Sequence, residues 1–412
     1  VRAAVLSIGA ELLRGDILDT NAPFLAQELV KLGFDVRRMG QTGDVLDDLA
    51  GEIGASLQAA DVLLCTGGLG PTQDDLTRHA VAAALGEEVT VDETLIEEIA
   101  VRFQSMRRAM PERNRQQAEM IPSAEVLHNP NGTAPGWFVR KGGKVIATMP
   151  GPPREMRPMW QDSVRPRLRE LLPGARVLRS LMTFGIGESA AEQMLDELIA
   201  WRDDVTVATY AKESGVQIHI TAVADDSNAA RDLADQAERR AREILGEAVF
   251  GMGDTTLSSA LGALLLDRNM MVSVLESATG GQVANAITDT AGSSAYFAGG
   301  IVAYTHEAKA AHGVDESIMD AHGLISAETA GSMAAAARTH FGASIGIATT
   351  GIAGDEPVEG KPPGTCFVAV ALDGVIEVRE IHRRGSREMS KRYFAQCALD
   401  LARRLITESP GS

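Results

Sequence analysis

The stretch MVSVLESATGGQ, Met271 to Gln282, runs an apolar segment straight into a serine and a Thr-Gly-Gly turn. The helix-type segment LSSALGALLLDRN stands just before it, so the order helix, strand, turn marks an α/β region that begins near Leu257. The apolar runs SIGIATTG, TCFVAVALDG and VIEVREI follow, then a long terminal helix from about Arg387. Asp373-Gly374 between two of these runs signals a hairpin, which makes the sheet mixed. The turn itself has two readings. Ser277 is either a nucleophile in front of free helix N–H groups that can hold an oxyanion or phosphate, or an N-cap followed by glycines serving a tight turn. No histidine lies near it and no G-x-S-x-G elbow surrounds it, so taken alone the stretch favours the cap.

The same alternation appears earlier in the chain. To about Leu172, β-type runs (AAVLSIG, DVLLCTGG) alternate with helix-type stretches (APFLAQELVKLG, DDLTRHAVAAALG), which predicts an α/β domain with a largely parallel sheet. LLPGARVLRS, with Pro173-Gly174, reads as a linker. From Ala175 to Gly251 the order is βαββαβ, with a hairpin at Lys212–Gly215: a small split-βαβ domain. GMGDTT marks a second boundary. The expected domains are 1–172, 175–251 and 255–412, in keeping with ~100–200 residues per domain for a chain of 412.

Composition narrows the function. A net charge of −17 repels nucleic acid and anionic membranes, so small molecules are the expected ligands. Three scattered cysteines, Cys65, Cys366 and Cys397, exclude a disulfide framework and a Cys-based zinc site. No apolar run approaches the ~18 residues of a membrane span, and the first residues lack a secretory pattern. A soluble cytoplasmic protein is expected.

Two further C-terminal pieces carry chemistry. In GGIVAYTHEAKAAHG, Tyr304 ends a β-type run and Lys309 falls in the helix after it; a desolvated lysine becomes a base. The rival bases His306 and His312 rank lower, as short-helix histidines commonly face solvent. In IATTGIAGDEPVEGKPPGT, a strand runs through Thr350 and Gly351 into a Gly- and Pro-rich loop of the kind that binds ligands, and Arg387 opens the last helix where it can clamp a phosphate. Near the N-terminus, CTGGLGPTQDDLT offers Gly67, Gly68 and Gly70 as a phosphate cradle and Asp74 and Asp75 as caps or cation ligands.

Together, ESATGG, SSAYFAGGIVAYTHEAK, TTGIAG and PPGT resemble the nicotinamide-nucleotide amidase domain of the CinA (competence/damage-inducible) family. The resemblance implies hydrolysis of nicotinamide mononucleotide to nicotinate mononucleotide and ammonia in pyridine nucleotide salvage, without a cofactor. It makes Ser277 the nucleophile, assisted by Lys309 with Tyr304 as relay or orienter. Backbone N–H groups around Thr279, Gly280 and Gly281 would hold the oxyanion, and Thr350, Gly351 and Arg387 would contact substrate phosphate and ribose. Thr305-His306 stand where the family usually has Ser-Asn or Ser-Glu, and Asp355 where it has proline.

CTGGLGPTQDDLT, IGAELLRGDILDTN, NPNGTAPGW and MPGPPREM likewise resemble the molybdopterin-binding-like N-terminal domain of that family, with Ala10 in place of the usual threonine. That implies a ligand site at Gly67, Gly68, Gly70, Thr72 and Asn114. It also implies one of three roles: a divalent-cation-dependent ADP-ribose pyrophosphatase using Glu11, Asp16, Asp19, Asp74 and Asp75, a nucleotide or pterin binder, or a dimer scaffold. The middle segment resembles the family's KH-type linker domain. It has no G-x-x-G loop between its helices, so RNA binding is not expected. The family's usual state predicts a homodimer, and its name raises a third reading, a non-enzymatic partner in DNA uptake or recombination.

Overall fold

The computed structural model describes residues 1–172 and 174–408, so Pro173 of the expected linker and residues 409–412 lie outside the described part. Two compact units result: residues 1–176 with 224–227, and residues 177–223 with 228–412.

In the first unit, β1 (Arg2–Ile8), β2 (Asp35–Thr42), β3 (Val62–Thr66) and β8 (Lys144–Met149) pair in parallel in the order β2-β1-β3-β8. Two antiparallel strands, β7 (Gly136–Lys141) and β6 (Ala124–Leu127), extend the β8 edge, while β4 (Thr90–Val91) and β5 (Glu119–Met120) form a separate ribbon. β3 is buried on every residue, as expected of a strand covered on both faces. One face packs on the helix Asn21–Leu32 through Leu25 and Leu29, the other on Leu46–Ala59 through Leu49 and Ile53. The C-terminal ends of β1 and β3 meet where helices leave on opposite faces, the usual place for a ligand crevice.

The second unit holds two sheets. The middle domain orders its strands β10-β11-β9-β12: β9 (Ala175–Thr183), β10 (Val205–Lys212), β11 (Gly215–Ala224) and β12 (Val249–Met252). Its first helix breaks into two short pieces, Glu188–Met194 and Asp196–Ile199. The long helix Ser227–Leu245 buries only alanines and Leu245, which lets it lie close on the sheet.

The C-terminal sheet is β14-β13-β15-β16-β17: β13 (Val272–Glu276), β14 (Phe297–Val302), β15 (Ile345–Gly351), β16 (Thr365–Leu372) and β17 (Val375–His382). β13 pairs in parallel with β14 and β15; β15, β16 and β17 are antiparallel, so the sheet is mixed. The hairpin turns at Asp373 (φ 46) and Gly374 (φ 83), two positive φ values in succession, as a type I′ turn requires. The helix Arg387–Glu408 covers one face with Phe394, Ala398, Leu401 and Ile406. Met182, Phe184 and Phe250 of the middle domain join that same core. The fold therefore combines helices and strands throughout, and the middle domain carries the expected βαββαβ order. None of the described helices is long and apolar enough to cross a membrane.

Candidate active site

β13 is wholly buried and delivers Ser277 to the C-terminal edge of its sheet, where the Ser277 N–H donates to Thr349 O on β15 (2.9 Å). The turn then closes through Gly280 N–H to Ser277 O (3.1 Å), with Gly280 and Gly281 at φ 59 and 95, which only glycine adopts cheaply. Glu276 organises the rest. Its buried carboxylate accepts from the Thr279 hydroxyl (2.6 Å) and from the N–H groups of Gly281 (3.0 Å), Val283 (3.1 Å) and Ala284 (2.8 Å).

This corrects the expected oxyanion site. The N–H groups of Gly280 and Gly281 already have acceptors, and Thr279 turns inward, its hydroxyl also 2.6 Å from that of Thr349. Between Ser277 and Ala284, the amides with no hydrogen bond among the described residues are those of Ala278, which lines the cleft, Thr279 and Gln282.

Lys309 belongs to the helix His306–Ala311, whose first turn is capped by the Thr305 hydroxyl accepting from Ala308 N–H (3.2 Å). The lysine is 1% exposed. Its Nζ lies 3.1 Å from Ser277 Oγ, 3.1 Å from Ala303 O and 3.3 Å from Tyr304 O. A neutral amine has two N–H donors and one lone pair. With the donors on the two carbonyls, the lone pair faces the Ser277 hydroxyl; once protonated, the third N–H points at the same oxygen. The proton can cross without any atom being rearranged. Burial lowers the lysine from its ordinary 10.5 to about 8, against the charge of Glu359, which raises it.

Tyr304 is not a relay between the two. Only its carbonyl accepts a hydrogen bond from Lys309; the residue is 58% exposed, and its hydroxyl accepts from Arg387 Nη2 at 3.1 Å. The cleft has a volume of about 480 Å³ and brings together Ser277, Tyr304, Lys309, Thr350, Gly351 and Arg387. The Thr350 hydroxyl donates to Leu324 O (2.6 Å), so it secures the wall of the cleft. Gly351 is needed for packing: a Cβ there would lie 2.5 Å from Thr365 O. His306 and His312 stand outside the cleft, one facing Asp320 at 3.4 Å and the other edge-on to His340.

The N-terminal crevice is smaller, about 290 Å³, and is lined by Ser7, Glu11, Asp19, Asn21, Thr66 and Gly151 among others. Of the expected ligands only Glu11 and Asp19 line it. Gly67 and Gly68 are glycines for steric reasons, since a Cβ would lie 2.1 Å from Ile8 O and 2.3 Å from Thr77 Oγ1. Thr72 donates to Asp75 through both N–H (2.8 Å) and hydroxyl (2.6 Å), Gly70 packs beside that carboxylate, and buried Asn114 donates to Gln117 (2.9 Å). Asp16 pairs with Arg14 (2.9 Å), Asp19 caps the Asn21 and Ala22 amides (3.0 Å each), and Asp74 is exposed. Among the described residues no three His, Cys, Asp or Glu side chains converge as a metal cluster. The five carboxylates therefore do not make a ligand set.

Sequence reasoning missed the polar atoms that lack partners in this crevice, Ser7 Oγ and Asn21 Oδ1, both on buried residues. It also missed Arg78, a buried guanidinium tying Leu69 O (3.1 Å) to Pro135 O (2.7 Å), which burial lowers to about 10. In a sequence, an arginine inside a helix carries no sign of burial.

Three family models match the chain: the probable molybdopterin binding domain over residues 4–170, the damage-inducible protein CinA KH domain over 178–251 and the CinA C-terminal domain over 254–406. A CinA-like protein of Frankia casuarinae is 41% identical over 424 residues, covering 100% of this chain and 98% of the relative. The chain belongs to the CinA family. A Clostridium acetobutylicum protein described as competence-damage inducible is 36% identical over 408 residues, covering 98% of this chain and 99% of its own length. Among solved structures, CinA from Thermoplasma acidophilum is 31% identical, covering 98% of that chain and 40% of this one with a TM-score of 0.38. The CinA C-terminal match spans Ser277, Lys309 and Arg387, so the cleft lies wholly within the segment that this family model describes.

Proposed function

We propose that the C-terminal cleft hydrolyses the carboxamide of nicotinamide mononucleotide to nicotinate mononucleotide and ammonia, through an acyl-serine. The observation that carries this reading is the buried Lys309 amine 3.1 Å from Ser277 Oγ, with two carbonyls holding its other hydrogens. Neutral Lys309 takes the Ser277 proton as the oxygen attacks the carboxamide carbon. The Ala278 and Thr279 amides are the free donors nearest to that oxygen in sequence, and Ala278, which lines the cleft, is the candidate to hold the negative charge that develops. Protonated Lys309 returns its proton to the leaving nitrogen, and ammonia departs. Water then attacks the ester, again losing its proton to Lys309, and the carboxylate product leaves Ser277 restored. No histidine is needed, as in other Ser–Lys variants of the triad logic. Arg387, on the rim beside Tyr304, is the cation available to the substrate phosphate.

The test is incubation of the full chain with nicotinamide mononucleotide, with ammonia and nicotinate mononucleotide both measured. Stoichiometric appearance of the two supports the reading; release of neither contradicts it. For the N-terminal crevice, the unpartnered Ser7 and Asn21 atoms favour binding of a polar ligand at the ends of β1 and β3. ADP-ribose is the candidate to run in parallel, and phosphate-containing fragments from it would establish a second, pyrophosphatase activity.

A further inference from the structure

Glu359 lies in the Gly- and Pro-rich loop after β15, where sequence alone assigns it no role, yet three features converge on it. It sits in a two-residue turn between Val358 and Lys361, whose backbones exchange hydrogen bonds of 3.2 and 2.9 Å. Glu359 (φ 52) and Gly360 (φ 70) both take positive φ, the requirement of a type I′ turn. Glycine meets it readily, whereas glutamate is an uncommon choice at the first of these positions. The turn directs the carboxylate at the opposite wall of the cleft: Leu324 N–H donates to Oε1 (3.1 Å) and Ile325 N–H to Oε2 (2.9 Å). Leu324 and Ile325 line the cleft, and Leu324 O is gripped from β15 by the Thr350 hydroxyl. The wall is thus pinned on both sides.

Glu359 also lines the cleft beside the lysine. The groups in contact with Lys309 Nζ are the Ser277 hydroxyl and the carbonyls of Ala303 and Tyr304, none of them charged. Asp355, Glu356 and Arg387 line the same cleft farther along the loop and the last helix. On the lysine's own helix, His306 faces Asp320 and His312 faces His340. Of these charges, Glu359 is the one that favours the protonated lysine against burial.

We propose that Glu359 is a positioning residue for the Ser277–Lys309 pair: its carboxylate holds the Leu324–Ile325 wall in place and supplies the negative charge that the buried ammonium faces between proton transfers. This rests on the amidase reading. A base that only took protons would serve the first step alone. The proton taken from Ser277 must stay on the lysine until it passes to the leaving nitrogen, and a nearby anion that is not itself hydrogen-bonded to the ammonium holds it there without competing for it.

The experiment compares wild type, Glu359→Gln and Glu359→Asp with nicotinamide mononucleotide across pH. The glutamine variant keeps the shape but loses the charge and one acceptor; the aspartate variant keeps the charge but is too short to reach both amides. Glu359→Gln is expected to move the rising limb of kcat/KM to lower pH and to raise KM roughly tenfold, the equivalent of one lost bond to a charged acceptor. Glu359→Asp is expected to raise KM while leaving the limb in place. Loss by one constant factor at every pH, or an unmoved limb in Glu359→Gln, overturns the proposal. A second readout needs no turnover: the 13Cε resonance of Lys309, assigned through Lys309→Met, titrates at lower pH in Glu359→Gln than in wild type if the inference holds, and at the same pH if it does not. A chain that releases no ammonia would sink the amidase reading, while this titration would still decide the role of Glu359.

Discussion

In the C-terminal cleft, Ser277 Oγ and two carbonyls lie within 3.3 Å of Lys309 Nζ, and every hydrogen on that nitrogen has an acceptor in either protonation state. Around the N-terminal crevice, Asp16 and Asp75 lie outside its lining and bond to neighbours in sequence, Asp19 on its wall caps the next helix, and the atoms without partners are a serine hydroxyl and an asparagine carbonyl. Both regions stand at the C-terminal ends of parallel strands, so the fold gives each the same opportunity. The difference lies in where burial falls. One buries a titratable base against a nucleophile and thereby shifts its proton affinity towards neutrality; the other buries neutral polar groups and leaves its carboxylates to caps and surface pairs. The first arrangement is organised for proton transfer, the second for holding a ligand.

The largest expected effect is that of Lys309→Met, which keeps the length and removes the base. Ammonia release from nicotinamide mononucleotide should fall by roughly 10²–10⁴-fold. A loss of less than about tenfold would remove the lysine from the chemistry and leave the two regions alike. Next comes Glu276→Gln, which puts an amide N–H₂ in place of one accepting oxygen and so sets donor against donor, at the least toward Ala284 N–H. It should destabilise the second unit by about 2–4 kcal/mol, read from urea unfolding. A cost near zero would show that the serine turn does not depend on that carboxylate.

Much of this was legible beforehand. That Ser277, Lys309 and Arg387 share one cleft was legible because the spacing of several motifs agreed, and the mixed sheet because Asp373-Gly374 can hardly be anything but a tight turn. The role of Glu276 was not legible, because a glutamate at a strand end looks the same whether it caps four donors or faces water. The assignment of the oxyanion to Gly280 and Gly281 failed because both N–H groups have acceptors inside the motif itself, Ser277 O and the Glu276 carboxylate. Tyr304 was misread since its carbonyl does what its phenol was expected to do, and backbone carbonyls leave no mark in sequence. In the N-terminal unit, the glycines of the CTGG turn suggested a phosphate cradle, but Ile8 O and Thr77 Oγ1 already fill the space that a side chain would need.

The pH dependence sharpens the contrast further. Lys309 must be neutral to act, so kcat/KM should rise with pH up to about 8 and level off above it. Stability carries the same signature. The folded lysine loses its proton at about 8, below its ordinary 10.5, so between these values the unfolded chain binds the extra proton. Stability therefore gains with rising pH across that window, and Lys309→Met should abolish the gain. Guanidinium unfolding at pH 7.5 and 9.5 measures it. The smallest effect belongs to the N-terminal crevice. Ser7→Ala removes a hydroxyl that bonds to nothing in the protein, so stability should change by no more than about 0.5 kcal/mol. A larger cost would mean that the hydroxyl serves the fold and not a ligand.

The most direct measurement is ammonia release from nicotinamide mononucleotide by Ser277→Ala beside the wild type, with both proteins shown to be folded. Rate loss to background, with the fold intact, is the predicted result. Release at or near the wild-type rate would contradict the account, because no other side-chain oxygen lies within hydrogen-bonding distance of Lys309 Nζ among the described residues.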